Sequence, residues 1–174
     1  MRTYSNNIMK KSTISLTLIA AAALFFVATR TSVGLSDTGT SAEQGDSMHG
    51  AWELNFEQAQ ARAKAENKPM LLDFTGSDWC GWCIRLDKEV FSQPEFKAYA
   101  AESLVLVELD FPRGKEQSAE IKAQNKALAK KYSIRGYPTI VLLTAEGELI
   151  ERTGYQRGGA ANYVAHIKEI LAGG

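Results

Sequence analysis

The chain holds two cysteines, and both lie in one short run, Trp79-Cys80-Gly81-Trp82-Cys83. The run directly follows the apolar stretch Met70-Leu71-Leu72-Asp73-Phe74. A C-x-x-C pair that follows a strand and opens a helix has the spacing for dithiol redox chemistry, because two thiols on the first helical turn can close a small disulfide. Unpaired backbone N–H groups and the positive end of the helix dipole lower the pKa of the first thiol. The second sits one turn deeper, where its thiolate can resolve a mixed disulfide formed by the first.

Two other uses of the pair are weaker. A structural zinc site takes about four ligands. His49 and His166 are the remaining soft donors, one in a polar linker and one in a C-terminal helix, and neither has ligand spacing to the cysteines. A purely structural disulfide across so short a loop removes little entropy from the unfolded chain. No metal site is expected.

The elements around the pair are legible from periodicity. Trp52-Glu53-Leu54 reads as a short edge strand, and Asn55 with Gln58 three residues on as a capping-box-like start to a helix bearing Phe56, Ala59 and Ala63 on one face. Lys68-Pro69 ends that helix. Met70 to Phe74 has the unbroken apolar character of a central parallel strand. Thr75 to Asp78 is a turn, and the dithiol helix runs through Leu86 to about Val90. Ser92-Gln93-Pro94-Glu95 restarts helix with proline in its first turn, which predicts a bend near Ser92. Leu104 to Leu109 is a second apolar strand and Phe111 to Gly114 a loop. A polar helix follows to about Lys131, with Ile121, Leu128 and Tyr132 at core spacing. Thr139 to Leu143 and a strand around Leu149-Ile150-Glu151 form a hairpin about Ala145 to Glu148. Tyr163, Ile167, Ile170 and Leu171 stripe the last helix. This order predicts an α/β fold, a central mixed sheet with helices on both faces.

The N-terminal end carries different signals. Arg2, Lys10 and Lys11 precede an apolar run from Ile14 to Ala28, which Arg30 follows. This is the pattern of a secretory n-region and h-region, shorter than the ~18–20 residues of a membrane span. Ser32-Val33-Gly34 suits cleavage better than Phe26-Val27-Ala28, and an uncleaved N-terminal anchor stands as the alternative. Met9-Lys10-Lys11 is itself a natural start, so Met1 and Met9 both serve as candidates. No cysteine follows the run to carry a lipid. The basic flank places the N-terminus inside and the rest outside the membrane. Residues 1–34 are thus expected to be a signal peptide or anchor, 35–50 a flexible polar linker, and 51–174 one domain, periplasmic or otherwise extracytoplasmic. The whole chain has 20 basic and 20 acidic residues. The four basic residues before Leu35 leave the remainder mildly acidic, which gives no electrostatic reason to bind nucleic acid.

From Trp52 onward the chain resembles the thioredoxin superfamily. The resemblance is carried by Leu72-Asp73-Phe74, by the W-C-x-x-C helix start, by the segment from Lys131 to Thr139 with its Arg135-Gly136-Tyr137-Pro138, and by a terminal hairpin and glycine loop at Gly154. The wording Asp73-Phe74-Thr75-Gly76-Ser77-Asp78-Trp79-Cys80 looks like an exported bacterial subgroup, similar to the thiol-disulfide interchange proteins. The resemblance implies a thioredoxin fold. It implies an exposed nucleophile at Cys80 and a buried resolving thiol at Cys83. It implies a cis Pro138 against the disulfide, with the backbone of Tyr137 free to pair with an extended client, where the residues alone also fit a trans proline opening a strand. Asp73 takes the place of a buried carboxylate that helps deprotonate the resolving thiol, or is a satisfied strand-end acid. Trp79, Gly81 and Trp82 surround the thiols. At least one tryptophan is expected to form an apolar apron for partly folded polypeptide, with Trp79 packed under the loop as the alternative.

Three departures from the family pattern stand out. The stretch from Asp73 to Cys80 is one residue longer than in thioredoxin itself. Glu108 replaces the family's lysine beside the buried acid, which pushes the Asp73 pKa up. The segment from Asp110 to Tyr132 is longer than in minimal thioredoxins, as an extended helix or an extra loop.

Between the thiols stand Gly81 and Trp82, with no cation to stabilise the Cys80 thiolate. That favours a reductant or isomerase, with a potential nearer about −270 mV than about −120 mV. The expected activity is reduction or isomerisation of client disulfides through a mixed disulfide at Cys80, recharged by a membrane electron donor. The alternatives are a disulfide-donating oxidase and a client-binding module whose disulfide is idle. No metal, nucleotide or flavin motif is present, and the pairs Gly158-Gly159 and Gly173-Gly174 read as a helix lead-in and a frayed tail; no cofactor is expected.

Overall fold

A computed structural model describes residues 51–173. The expected signal or anchor segment and the linker lie outside the described residues. Among the described residues, no helix is long and apolar enough to cross a membrane.

Four strands form one sheet in the order β2-β1-β3-β4. Strand β1 (Met70–Thr75) pairs parallel with β2 (Val105–Asp110) and antiparallel with β3 (Thr139–Leu143), and β3 pairs antiparallel with β4 (Leu149–Thr153). Every residue of β1 and β2 is buried, because helices cover both faces, as the unbroken apolar runs require. The expected edge strand at Trp52–Leu54 is reduced to a single parallel bridge, Glu53 to Val107. Trp52 is instead drawn into the core against Phe91, ring centroids 5.1 Å apart.

Strand alternation divides the core. Met70, Leu72, Phe74, Val105, Val107, Leu109, Val141 and Leu143 point to one face, where α1 (Phe56–Glu66) contributes Ala59 and Ala63 and α4 (Ala119–Lys131) contributes Leu128. Leu71, Leu106, Ile140 and Leu142 point to the other, where Leu86, Phe91, Phe96, Tyr163 and Ile167 meet them. Each such apolar side chain contributes about 1.5–3 kcal/mol on burial.

Local chemistry sets the helix ends. The Asn55 side chain accepts the Gln58 N–H at 3.0 Å and caps α1, and Asn67 closes that helix in the left-handed conformation. The dithiol helix α2 (Gly81–Leu86) is shorter than expected. Asp87–Phe91 forms a π-helical turn, and Pro94 opens α3 (Pro94–Ser103) in its first turn. The bend expected near Ser92 is this π turn, held by Ser92 Oγ–H donating to Asp87 Oδ1 at 2.8 Å. The added length after Asp110 is a loop, not more helix. Ser118 caps α4 by accepting the Ile121 N–H. The last helix, α5 (Gly159–Gly173), buries Tyr163 and Ile167.

Candidate active site

The end of β1 and the start of α2 present the two cysteines, which are joined in a disulfide, S–S 2.11 Å. Cys80 is the N-cap of α2: its sulfur accepts the Cys83 N–H at 3.2 Å. The two sulfurs are thus bonded to one another, and the helix start is capped by one of them. Cys80, expected to be exposed, is nearly as buried as Cys83 in the disulfide state: the two residues keep 7% and 4% of their surface.

The tryptophans divide the two roles foreseen for them. Trp82 is 53% exposed and leans on Tyr155, ring centroids 5.2 Å apart. Trp79 is half-buried. Its indole N–H donates to the Phe111 carbonyl at 2.8 Å, and its ring meets Tyr137 edge-on at 5.7 Å. Trp79 thus packs under the loop, and Trp82 stays open to solvent. Gly81 is exposed, and a Cβ there would meet nothing within 4 Å.

The Tyr137–Pro138 peptide bond is cis. Register pairs Phe74 with Thr139, so this dipeptide lies beside the end of β1 that leads into the dithiol. Gly154 is close by, since a Cβ there would stand 3.4 Å from the Pro138 carbonyl oxygen.

Asp73 is buried on the sheet face that α2 covers, and its Oδ1 has no hydrogen-bond partner. Burial, first, and then the neighbouring carboxylates of Glu108, Asp110 and Asp87 push its pKa well above the usual carboxylate range. Glu108 is the residue paired with Asp73 across β1 and β2, so an acid does stand beside Asp73 where the family pattern has a lysine. Tyr163, buried in the same core, is also pushed up by desolvation and by Asp73.

Several residues of the site lie outside the motif. Asp110 accepts the Ser77 N–H at 2.8 Å and the Ser77 Oγ–H at 2.6 Å, fixing the turn before the dithiol. Buried Asn125 of α4 donates to the Asp110 carbonyl at 2.9 Å. Asp78 accepts the N–H groups of Arg113 and Gly114 at 3.0 and 2.6 Å, and these bonds lower its pKa. On the other flank, Arg85 donates to Glu89 at 2.8 Å and Tyr155 O–H donates to the same carboxylate at 2.6 Å. The contact of Asp78 with Arg113 and Gly114 had a readable signal only in the unusual length of the segment after Asp110.

Comparison with known proteins places this arrangement. A thioredoxin-like domain family matches residues 56–169. The disulfide bond reductase DsbH of Chlamydia pneumoniae is 39% identical over 120 residues, 69% of this chain and 72% of its own length. The thiol:disulfide interchange protein DsbD of Klebsiella pneumoniae is 34% identical over 116 residues, and the match covers 65% of this chain but 18% of DsbD. A solved DsbH oxidoreductase superposes with a TM-score of 0.67 at 35% identity, over 80% of this chain and 94% of that one. With a four-stranded mixed sheet, a disulfide capping a helix and these relatives, the chain belongs to the thioredoxin superfamily, among its thiol-disulfide interchange proteins.

Proposed function

We propose that the protein reduces disulfides in exported polypeptides, with Cys80 as nucleophile and Cys83 as resolving thiol. The observation that carries this reading is the Cys83 N–H aimed at Cys80 Sγ at 3.2 Å from the helix start. A backbone donor and the helix dipole favour the thiolate at Cys80 over that at Cys83. In the reduced protein, the Cys80 thiolate attacks one sulfur of a client disulfide. The client S–S bond breaks, a Cys80–client disulfide forms, and the departing client sulfur takes a proton. Cys83 then loses its proton and attacks Cys80 Sγ. The second client sulfur leaves and is protonated. The client gains two electrons and two protons, and the protein is left in the disulfide state described above.

Asp73 suits the proton step. A buried acid with a raised pKa exchanges a proton with a thiol near neutral pH, where an ordinary carboxylate is too weak a base. Trp82 and the open space over Gly81 give an apolar landing for the client, and the Tyr137 backbone before Pro138 offers it hydrogen bonds. The reducing direction is supported by the name of the DsbH relative, a disulfide bond reductase, and by the residues around Cys80. Gly81 and Trp82 bring no charge, and the Arg85 guanidinium is already paired with Glu89. Export is supported by the basic and apolar N-terminal segment of the sequence, and an exported reductant needs a membrane donor of reducing equivalents to restore its dithiol.

The test is the equilibrium reduction potential of Cys80–Cys83 in the chain from Leu35 onward, titrated against dithiothreitol and glutathione buffers. The expected value lies below about −220 mV. A value at or above about −150 mV makes the protein a disulfide donor and overturns the reading.

A further inference from the structure

Each flank of the disulfide carries an arginine on a tryptophan, and the two arginines differ in charge balance. Arg85 stands 5.5 Å from the ring centres of both Trp82 and Tyr155, and its guanidinium is neutralised by Glu89. Arg113 stands 3.9 Å over the Trp79 ring. Arg113 is exposed, and among the described residues no carboxylate lies within ion-pair distance of its guanidinium. The nearby acids are occupied. Asp78 holds the backbone N–H groups of Arg113 and Gly114, and Asp110 holds Ser77.

The loop that presents Arg113 is fixed at several points. Besides the Asp78 bonds, the Phe111 carbonyl accepts the Trp79 indole N–H, Phe111 stacks near Tyr137 at 5.2 Å, and Lys115 Nζ donates to Ser77 Oγ at 3.1 Å. A Cβ on Gly114 would stand 3.2 Å from Asp78 Oδ2, so the loop and the turn approach closely. Trp79 in turn touches Tyr137, the residue before Pro138. The free guanidinium is therefore held beside the route an extended client would take between the dithiol and the Tyr137 backbone.

We propose that Arg113 is a specificity-determining residue that selects clients with acidic side chains flanking the cystine to be reduced. This rests on the reading that client disulfides are reduced at Cys80. The occupant follows from charge complementarity. A preordered cation without a partner gains from a client carboxylate, and a guanidinium stacked on an aromatic ring keeps its donor edges free to grip one. The acid is read on the Trp79 side, because the cation on the Trp82 side is neutralised.

The test uses dithiothreitol-reduced protein in single turnover with three cystine peptides that differ only in flanking residues, Glu, Ala or Lys. Natural protein is expected to reduce the Glu peptide about 2- to 5-fold faster than the Ala peptide at low salt, the range of an exposed ion pair, and the Lys peptide slower. High salt compresses the ratios. Arg113→Ala brings the Glu/Ala ratio to about 1, Arg113→Glu inverts it, and Arg113→Lys keeps it above 1. A structural role of Arg113 in seating Trp79 would slow all three peptides together and leave the ratio in place, which overturns the proposal. So does a ratio of 1 in natural protein that reduces all three peptides. Failure to reduce even the Ala peptide overturns the reductase reading, and this proposal with it.

Discussion

Asp73 and Glu108 are partners across the parallel strands β1 and β2, both buried on the face that the dithiol helix covers. Asp110 lies two residues further along β2 on the same face and adds a third carboxyl. Burial and these neighbouring carboxylates favour a proton on Asp73. Asp73 is therefore a buried acid that favours its protonated form, on the sheet face that the dithiol helix covers.

The first consequence concerns stability. Asp73 has a raised pKa in the fold, so the folded state binds its proton more tightly than the unfolded chain does. Its cost is absent below the unfolded value near 3.9 and grows as pH rises from there toward the folded pKa. Asp73→Asn removes that cost. Urea unfolding is expected to find the variant more stable at pH 7–8, by about 1.4 kcal/mol for each pH unit between the unfolded and the folded pKa, with the gain vanishing near pH 4. The resolving step should slow in the same variant. A gain of equal size at both pH values would mean that ionisation is not its source.

The trapping experiment separates the sulfurs. Cys83→Ser leaves the attacking thiol and removes the group that releases the client, so mixed disulfides are expected to accumulate on Cys80 and to run as thiol-sensitive adducts on non-reducing gels. Cys80→Ser should give almost none, since the helix-start N–H aimed at Cys80 Sγ favours the thiolate there over that at Cys83. Comparable adducts from both variants would contradict the assignment of roles. Client protection that survives Cys80→Ser would favour a binding module.

Much of this was legible in the sequence, for physical reasons that can be named. Met70 to Phe74 and Leu104 to Leu109 are apolar without alternation, which only a strand covered on both faces tolerates. Asn55 and Pro94 announce helix starts by side-chain chemistry that needs no partner elsewhere in the fold. Glu108 was visible as a departure because the family resemblance puts a lysine there as the partner of the buried acid. What escaped was long-range. The bonds of Asp78 to Arg113 and Gly114 span 35 and 36 positions, and those of Ser77 to Asp110 span 33. No local pattern encodes such pairs. The accessibility of Cys80 escaped too, because it depends on how its neighbours pack around it, not on its place in the motif.

Asp110 gives a test of the lead-in turn. Its carboxyl takes two bonds from Ser77 inside the core, and Asp110→Ala strands the Ser77 N–H. The expected loss is about 1–3 kcal/mol, with a shifted potential because the turn sets where Cys80 sits. Asp110→Asn keeps an acceptor for one bond and should lose less. If both variants unfold like the natural protein, the turn is held by other contacts.

The glycines of the site make opposite predictions. A Cβ on Gly76 would stand 2.5 Å from Trp79 Cε2 and 2.7 Å from Nε1, closer than atoms can approach. Gly76→Ala must displace the indole, which breaks its bond to the Phe111 carbonyl and its stack under Arg113. Overpacking of this kind costs about 1–3 kcal/mol, and near-ultraviolet circular dichroism should register the moved ring. Gly81→Ala meets open space and lies at the helix start, so its stability should stay within about 0.5 kcal/mol of the natural protein. The contrast is the measurement. Two alanines five positions apart on either side of the nucleophile are expected to differ because Trp79 is wedged against one and solvent lies over the other. Equal effects at the two positions would show that the indole is not seated between the Gly76 turn and the Phe111 loop.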